Sequence, residues 1–176
     1  MTGDDPVLTP YDPAWPLQFA AEAACLVEAL APVVGIEHVG STSVPGLAAK
    51  PTLDIAVGLP SLELGALRTT RIEALGYHYG GDHGLPQHIF RRGAAVPWDY
   101  LVHVVEHGGR MWCDYLRFRD HLRSHPEDAE RYAALKASLL VGRGGWYRGG
   151  DKGPFIRPIL RGRQPPAPTT DRPRTT

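Results

Sequence analysis

The sequence predicts one α/β domain of the α+β kind, and three observations predict it. An alanine-rich amphipathic stretch leads into two strand-like segments flanking a Gly-Ser-Thr-Ser turn. Three short β candidates then follow one another across turns rich in glycine and proline. Behind them lie two long stretches of helical spacing that meet at "SHPE".

In chain order, "TPYDPAWPLQFAAEAACLVEAL" begins with prolines that hold the chain extended. It then places Leu17, Ala21, Ala24 and Leu26 at helical spacing, which predicts a helix from Ala14 to Leu30. "GIEHV" alternates as a strand. "TLDIAV" reads as a second, with Leu53, Ile55 and Val57 on one face and Asp54 and Ala56 on the other. From Pro60 and Ser61 onward, Leu64, Leu67, Arg68, Arg71, Ile72 and Leu75 predict a single helix that Gly76 closes as a C-cap. "YHY", "HIFRR" and "DYLVHVV" predict an antiparallel meander. "MWCDYLRFRDHLR" is helical. Ser124, three residues before Glu127 and with Pro126 between them, predicts a capping box opening the next helix through Tyr132, Leu135 and Leu139. "VGRGGWYRGGDKGPF" is too rich in glycine for a helix and reads as a mobile loop before a last short element, "FIRPIL". Residues 163–176, rich in Pro, Thr and Arg, have little to bury and are expected to form a disordered tail, leaving 1–162 as the domain.

Composition narrows the function classes. Lys and Arg together number 19, equal to Asp and Glu, so no overall field draws in long nucleic acid. No apolar run reaches the roughly 20 residues that span a bilayer. The acidic N-terminus lacks the basic and apolar regions of a signal peptide, so a cytoplasmic protein without membrane contact is expected. Cys25 and Cys113 stand far apart and outside any C-x-x-C pattern, which predicts two buried thiols rather than a disulfide or a zinc site. The four tryptophans read as packing anchors, and His78, His83, His88, His107 and His121 as surface residues.

The stretch that carries chemistry is "GIEHVGSTSVPGLAAKPTLDIAV", residues 35–57. Small residues at Gly40, Ser41, Thr42 and Ser43 let backbone N–H groups and hydroxyls converge on phosphate oxygens. The other reading of that turn is a tight connection whose Ser and Thr side chains bond locally. Its neighbours are His38, Lys50 and a lone strand carboxylate, Asp54.

This stretch resembles the signature of the GrpB family of the nucleotidyltransferase superfamily. The likeness continues through "EALGY", "LVHVVEHGG", "YLRFRDHLRSHPE", "YAALK" and, weakly, "WYRGGDKGPFI", over residues 8–160. The resemblance implies a mixed β-sheet flanked by helices, with the Gly-Ser turn gripping nucleoside triphosphate opposite strand carboxylates. Those carboxylates hold divalent metal, Mg²⁺ or Mn²⁺, while a hydroxyl attacks the α-phosphate and pyrophosphate leaves. Two positions depart from that pattern: Ala56 stands where a second carboxylate is expected, and His103 where a third is. One carboxylate and one imidazole suit Mg²⁺ badly, because hard cations take oxygen ligands.

The candidate residues follow. Asp54, His103 and His38 are either metal ligands or, for Asp54 and His103, an acid/base pair; the alternative for each histidine is a hydrogen-bonded, half-buried ring. Lys50 is placed to neutralise a phosphate, or is a solvated loop lysine. It is one of three lysines against 16 arginines, and the others, Lys136 and Lys152, also fall in family-like blocks. Arg119 and Arg123 share a helix face, as a phosphate clamp or an ion-paired surface. Tyr147 and Lys152 stand in the glycine-rich loop, as a lid or a connector. The expected ligand is a nucleotide or other phosphorylated small molecule, with nucleotidyl or related group transfer as the reaction. The alternatives are a non-catalytic module binding a nucleotide or coenzyme A precursor, and a repurposed enzyme of specialised metabolism.

Overall fold

Five strands order the chain around one sheet in a computed structural model that describes residues 8–94, 97–142 and 149–166. Helix α1, Trp15–Leu30, carries a proline in its first turn, where the missing N–H costs nothing. It leads to β1, Gly35–Val39, which pairs antiparallel with β2, Leu53–Leu59. Two short helices follow, α2, Leu62–Leu67, and α3, Thr69–Glu73. The meander is β3, His78–Gly81, β4, His88–Arg92, and β5, Tyr100–Glu106. Strand β5 lies parallel to β2, so the order is β1-β2-β5-β4-β3 and the sheet is mixed, as expected. Helices α4, Arg110–Ser124, α5, Pro126–Gly142, and α6, Gly153–Leu160, complete the fold.

The period-2 alternation of the strands divides the core between two faces. Ile55, Val57, Leu59, Phe90, Val102 and Val104 meet Leu26 and Leu30 of α1 and Ile72 of α3 on one side. There the buried Glu22 carboxylate accepts hydrogen bonds from the Tyr77 hydroxyl at 2.9 Å and from Arg92. The opposite face is made of small residues and takes α4. Gly35 and Gly58 are register partners on that face. A Cβ on Gly35 would lie 2.8 Å from the Trp112 indole, and one on Gly58 would lie 2.9 Å from His107 Cβ. Ala56, Val39 and Val105 continue the floor under Trp112. A second cluster joins α4, α5 and α6 to the segment after the Gly-Ser turn through Val44, Leu47, Leu122, Tyr132, Phe155 and Ile159.

Four local expectations are corrected. The helix expected from 61 to 75 breaks at Arg68, where φ −110 and ψ 8 leave the helical region. The Thr69 hydroxyl donates to Ala66 O at 3.0 Å, competing for a carbonyl that a continuous helix would use. Ser124 does not open α5; it ends α4, with its hydroxyl donated back to Asp120 O at 2.7 Å. Burial of Leu122 and the reach of Arg123 to Ser43 require α4 to continue that far. The two ends of the glycine-rich stretch are regular: α5 runs to Gly142, a 3-10 turn occupies Gly149–Lys152, and α6 starts at Gly153, while 143–148 lie outside the described residues. Cys25 and Cys113 are exposed, on the outer faces of α1 and α4. The expected tail begins against α5, where Arg131 donates to the carbonyls of Pro165 and Pro166. Residues 167–176 and Tyr147 lie outside the described residues.

The Trp112 contact gives a direct test. Gly58→Ala puts a methyl where no space exists and is expected to cost about 1–3 kcal/mol, measured as a lower urea midpoint with an unchanged slope.

Candidate functional site

The site is assembled at the end of β1. Gly40 has φ +70 and ψ −170, a conformation open to glycine alone without strain, and it turns the chain into a 3-10 segment, Ser41–Ser43. Its Cα lies against the Asp54 carboxylate: a Cβ there would fall 2.2 Å from Asp54 Oδ2. The turn is braced from inside. Ser43 N–H and Ser43 Oγ both donate to Gly40 O, at 3.3 and 2.6 Å, and Thr42 Oγ1 donates to Thr52 O at 3.2 Å. With Thr42 and Ser43 buried and so engaged, the expected four-residue cradle narrows to Gly40 and Ser41, whose hydroxyl bonds to Tyr132.

Asp54 is neither sealed nor solvated; its side chain keeps 27% of its exposure. Its Oδ1 lies 3.3 Å from His103 Nε2, because residue 54 of β2 and residue 103 of β5 stand on the same face of parallel neighbours. The other ring nitrogen, Nδ1, lies 3.0 Å from the Tyr115 hydroxyl of α4. The structure thus brings Asp54 and His103 together as the sequence suggested.

His38 does not join them. The register pairs it with Ile55, on the face opposite Asp54, where its ring stacks on Phe19 at 5.0 Å and Nε2 lies 3.0 Å from Thr42 Oγ1. Burial pushes it down to about 4, with Asp54 opposing and Arg123 and Arg119 assisting. It is a neutral, structural ring. The two arginines brace the turn as well. Arg119, 9% exposed, donates to Glu37 Oε2 at 2.6 Å, Asp120 Oδ1 at 2.7 Å and His38 O at 3.1 Å. Arg123 gives Nε–H and Nη2–H to Ser43 O at 3.0 and 2.7 Å. Both are engaged with the protein's own oxygens, Arg119 as the ion-paired arrangement expected for that helix face.

The cationic character of the cleft comes from elsewhere. Of the chain's three lysines, Lys136 and Lys152 reach the Tyr132 ring, and Lys50 lies within the field of Lys152. Lys136 Nζ lies 5.0 Å and Lys152 Nζ 6.0 Å from the centre of the Tyr132 ring. Lys136 is 1% exposed and donates to Ala48 O at 2.5 Å. Burial, then repulsion from Lys152, lowers it to about 7, with Asp54 opposing. Lys50 is lowered too, by burial and then by Lys152. Burial and then the Asp54 charge push the Tyr132 phenol up. Tyr132, Tyr115 and Gln87 were missed by sequence reasoning. For Tyr132 a signal existed, since Lys136 stands four residues on along the same helix face.

The residues do not fit the divalent metal that the nucleotidyltransferase resemblance implies. Both nitrogens of His103 face partners, His38 leaves by the other face, and Ala56, where a second carboxylate is expected, is fully buried beneath α4. Among the described residues no three His, Cys, Asp or Glu side chains converge on a metal-sized point. His121 and His125, spaced i, i+4, stack at 4.1 Å, and Asp128 binds only the first, at 2.8 Å. A groove of about 530 Å³ lies apart from Asp54, between the segment 44–48 and the α4–α5 corner. What remains at the site is a half-buried carboxylate backed by an imidazole, with the Lys136 amine within its field.

Fold and site together define a mixed α/β protein whose polar side chains meet where β1 turns against β2. Residues 5–160 match the pattern of the family described as GrpB protein, and the chain belongs to that family. It is 44% identical over 133 residues to the UPF0157 protein PA4798 of Pseudomonas aeruginosa, covering 74% of this chain and 55% of that one. With the UPF0157 protein YqkA of Bacillus subtilis it shares 33% identity over 132 residues, 74% of this chain and 38% of the relative. The chain thus spans about half of the first relative and less of the second. The crystal structure of the conserved protein GrpB from Enterococcus faecalis superposes with a TM-score of 0.80 at 34% identity, covering 89% of this chain and 96% of that one. Among the described residues no helix is long and apolar enough to cross a membrane.

Two expectations test this geometry. Gly40→Ala combines strain at φ +70 with a methyl on Asp54 Oδ2, and should lower stability by about 2 kcal/mol or more, with the thermal midpoint as the measure. The second concerns Lys136. Its folded value lies below the unfolded one, so between pH 7 and 10.5 the unfolded chain binds more protons and native stability rises with pH. The gain is on the order of 4 kcal/mol. Lys136→Met should lack that rise, seen as the difference between the two proteins' denaturation free energies across the window.

Proposed function

We propose that the cleft binds a nucleotide or other phosphorylated small molecule, held by Lys50, Lys152 and the Gly40–Ser41 edge of the turn, and that Asp54 serves as its acid/base group. The observation that carries this reading is a chain of lysines leading to Asp54: Lys136 lies within the field of that carboxylate and shares the Tyr132 ring with Lys152, whose charge in turn reaches Lys50. Ammonium groups in a partly desolvated cleft meet phosphate charge more strongly than they would in water. Lys136, buried against Ala48 O, positions the loop that carries Lys50. A cytoplasmic setting goes with that ligand class.

The reaction this arrangement favours is nucleotidyl or related group transfer. Asp54 accepts the proton of an acceptor hydroxyl or amine as the acceptor atom bonds to the α-phosphorus. The bond to the departing pyrophosphate breaks, and its charge is met by the lysines. A second reading, favoured by the burial of Ala56, is a non-catalytic nucleotide-binding or regulatory module.

Isothermal titration with the common nucleoside triphosphates, each with and without Mg²⁺ or Mn²⁺, tests the binding claim. At least one is expected to bind, and Lys50→Ala with Lys152→Ala to weaken it by about tenfold or more. Asp54→Asn should bind while forming no product from a panel of hydroxyl and amine acceptors, and binding without product in the wild type selects the module. Absence of heat with every nucleotide under every condition removes the reading.

A further inference from the structure

Gln87 is 3% exposed, and a buried amide left without partners is costly. Its Oε1 accepts from the Tyr115 hydroxyl at 2.6 Å, while its Nε2 approaches Asp82 O at 3.5 Å. The Tyr115 oxygen lies 3.0 Å from His103 Nδ1, with the two rings 4.8 Å apart, and His103 Nε2 lies 3.3 Å from Asp54 Oδ1. Four side chains, from the residue before β4 and from α4, β5 and β2, therefore form one unbroken line from the interior to the Asp54 carboxylate. We propose that Tyr115 and Gln87 are positioning residues that hold the His103 ring with its Nε2–H on Asp54, and so orient the carboxylate toward the ligand.

The chemistry of the middle member supports this role. A hydroxyl both donates and accepts, so it suits Nδ1 whether or not that nitrogen carries a proton. With Nδ1–H present, the Tyr115 oxygen accepts and its O–H stays on Gln87; with Nδ1 bare, the O–H turns to it and the Gln87 amide, turned over, donates its N–H to the Tyr115 oxygen. Burial, then the charges of Asp54 and Asp114, push the Tyr115 phenol up, so the O–H is retained across the ordinary pH range. A purely apolar partner would pack the ring equally well and leave Nδ1 without a hydrogen bond. The proposal deepens the reading of Asp54 and His103 as the reactive pair, but its test needs no ligand.

The test is ¹⁵N NMR of the imidazole rings of the full-length protein, with His103 assigned by its loss in His103→Gln. The wild type is expected to show a proton on Nε2 that exchanges slowly with water. Tyr115→Phe keeps the ring and its packing but should move both His103 nitrogen resonances and speed exchange of the Nε2 proton about tenfold. Gln87→Met, one bond further back, should move them in the same direction and by less, and it carries the test should Tyr115→Phe lose its fold. His103 resonances and exchange unchanged in both variants, or a wild-type ring whose proton sits on Nδ1 alone, overturn the proposal. Either result leaves the binding claim to the titrations, and absence of nucleotide binding in turn leaves the spectra as they are.

Discussion

Gly40 presses its α-carbon against the Asp54 carboxylate, and the rest of the cleft is placed by that approach. The chain leaving β1 has to pass over β2 with no side chain between, in a conformation that other residues adopt only with strain. Everything that reaches the turn from behind preserves this contact. Thr42 ties it to Thr52, Arg123 holds Ser43 O from α4, and Lys136 holds Ala48 O from α5. The two struts from α4 and α5 reach across 80 and 88 positions, so the turn is held by distant parts of the fold as well as by its own Thr42.

The packing of α4 then decides which chemistry the cleft retains. Trp112 needs a floor without side chains, and Gly35, Gly58 and Ala56 supply it. A carboxylate at position 56 would stand beneath that helix, desolvated, at a cost of several kcal/mol. The same helix delivers Tyr115 to His103 and Arg119 to Glu37. Packing and chemistry are thus one constraint here: the helix that closes the metal-type arrangement also orders the imidazole that backs the remaining carboxylate. Charge balance at the site passes from oxygen ligands to ammonium groups brought in by the loop before β2, by α5 and by the turn before α6.

Much of this was legible in the residues. The alternation in "TLDIAV" places Asp54 opposite Leu53, Ile55 and Val57, since adjacent side chains of a strand point to opposite faces. The pairing of Asp54 with His103 was likewise within reach; Gly76, with φ +83, lies in the turn after α3, whose C-cap is Ala74 rather than the glycine. Other readings failed where a local pattern met a distant demand. Ser124 and Glu127 have capping-box spacing, yet α4 keeps Ser124 because Leu122 and Arg123 are engaged across the fold. The Arg119–Arg123 face was recognised, but its partners, Glu37 and Ser43 O, lie about 80 positions away.

What the sequence determined by itself was the alternation of the strands, most helices and the glycine turn, because those depend on side-chain periodicity and backbone freedom within a few residues. Only the tertiary structure decided that His38 faces Phe19 rather than Asp54, that Ala56 lies beneath Trp112, and that Lys136 and Lys152 meet at Tyr132. Strand register and the burial of charge are settled by contacts between distant segments, and no local window of residues contains them.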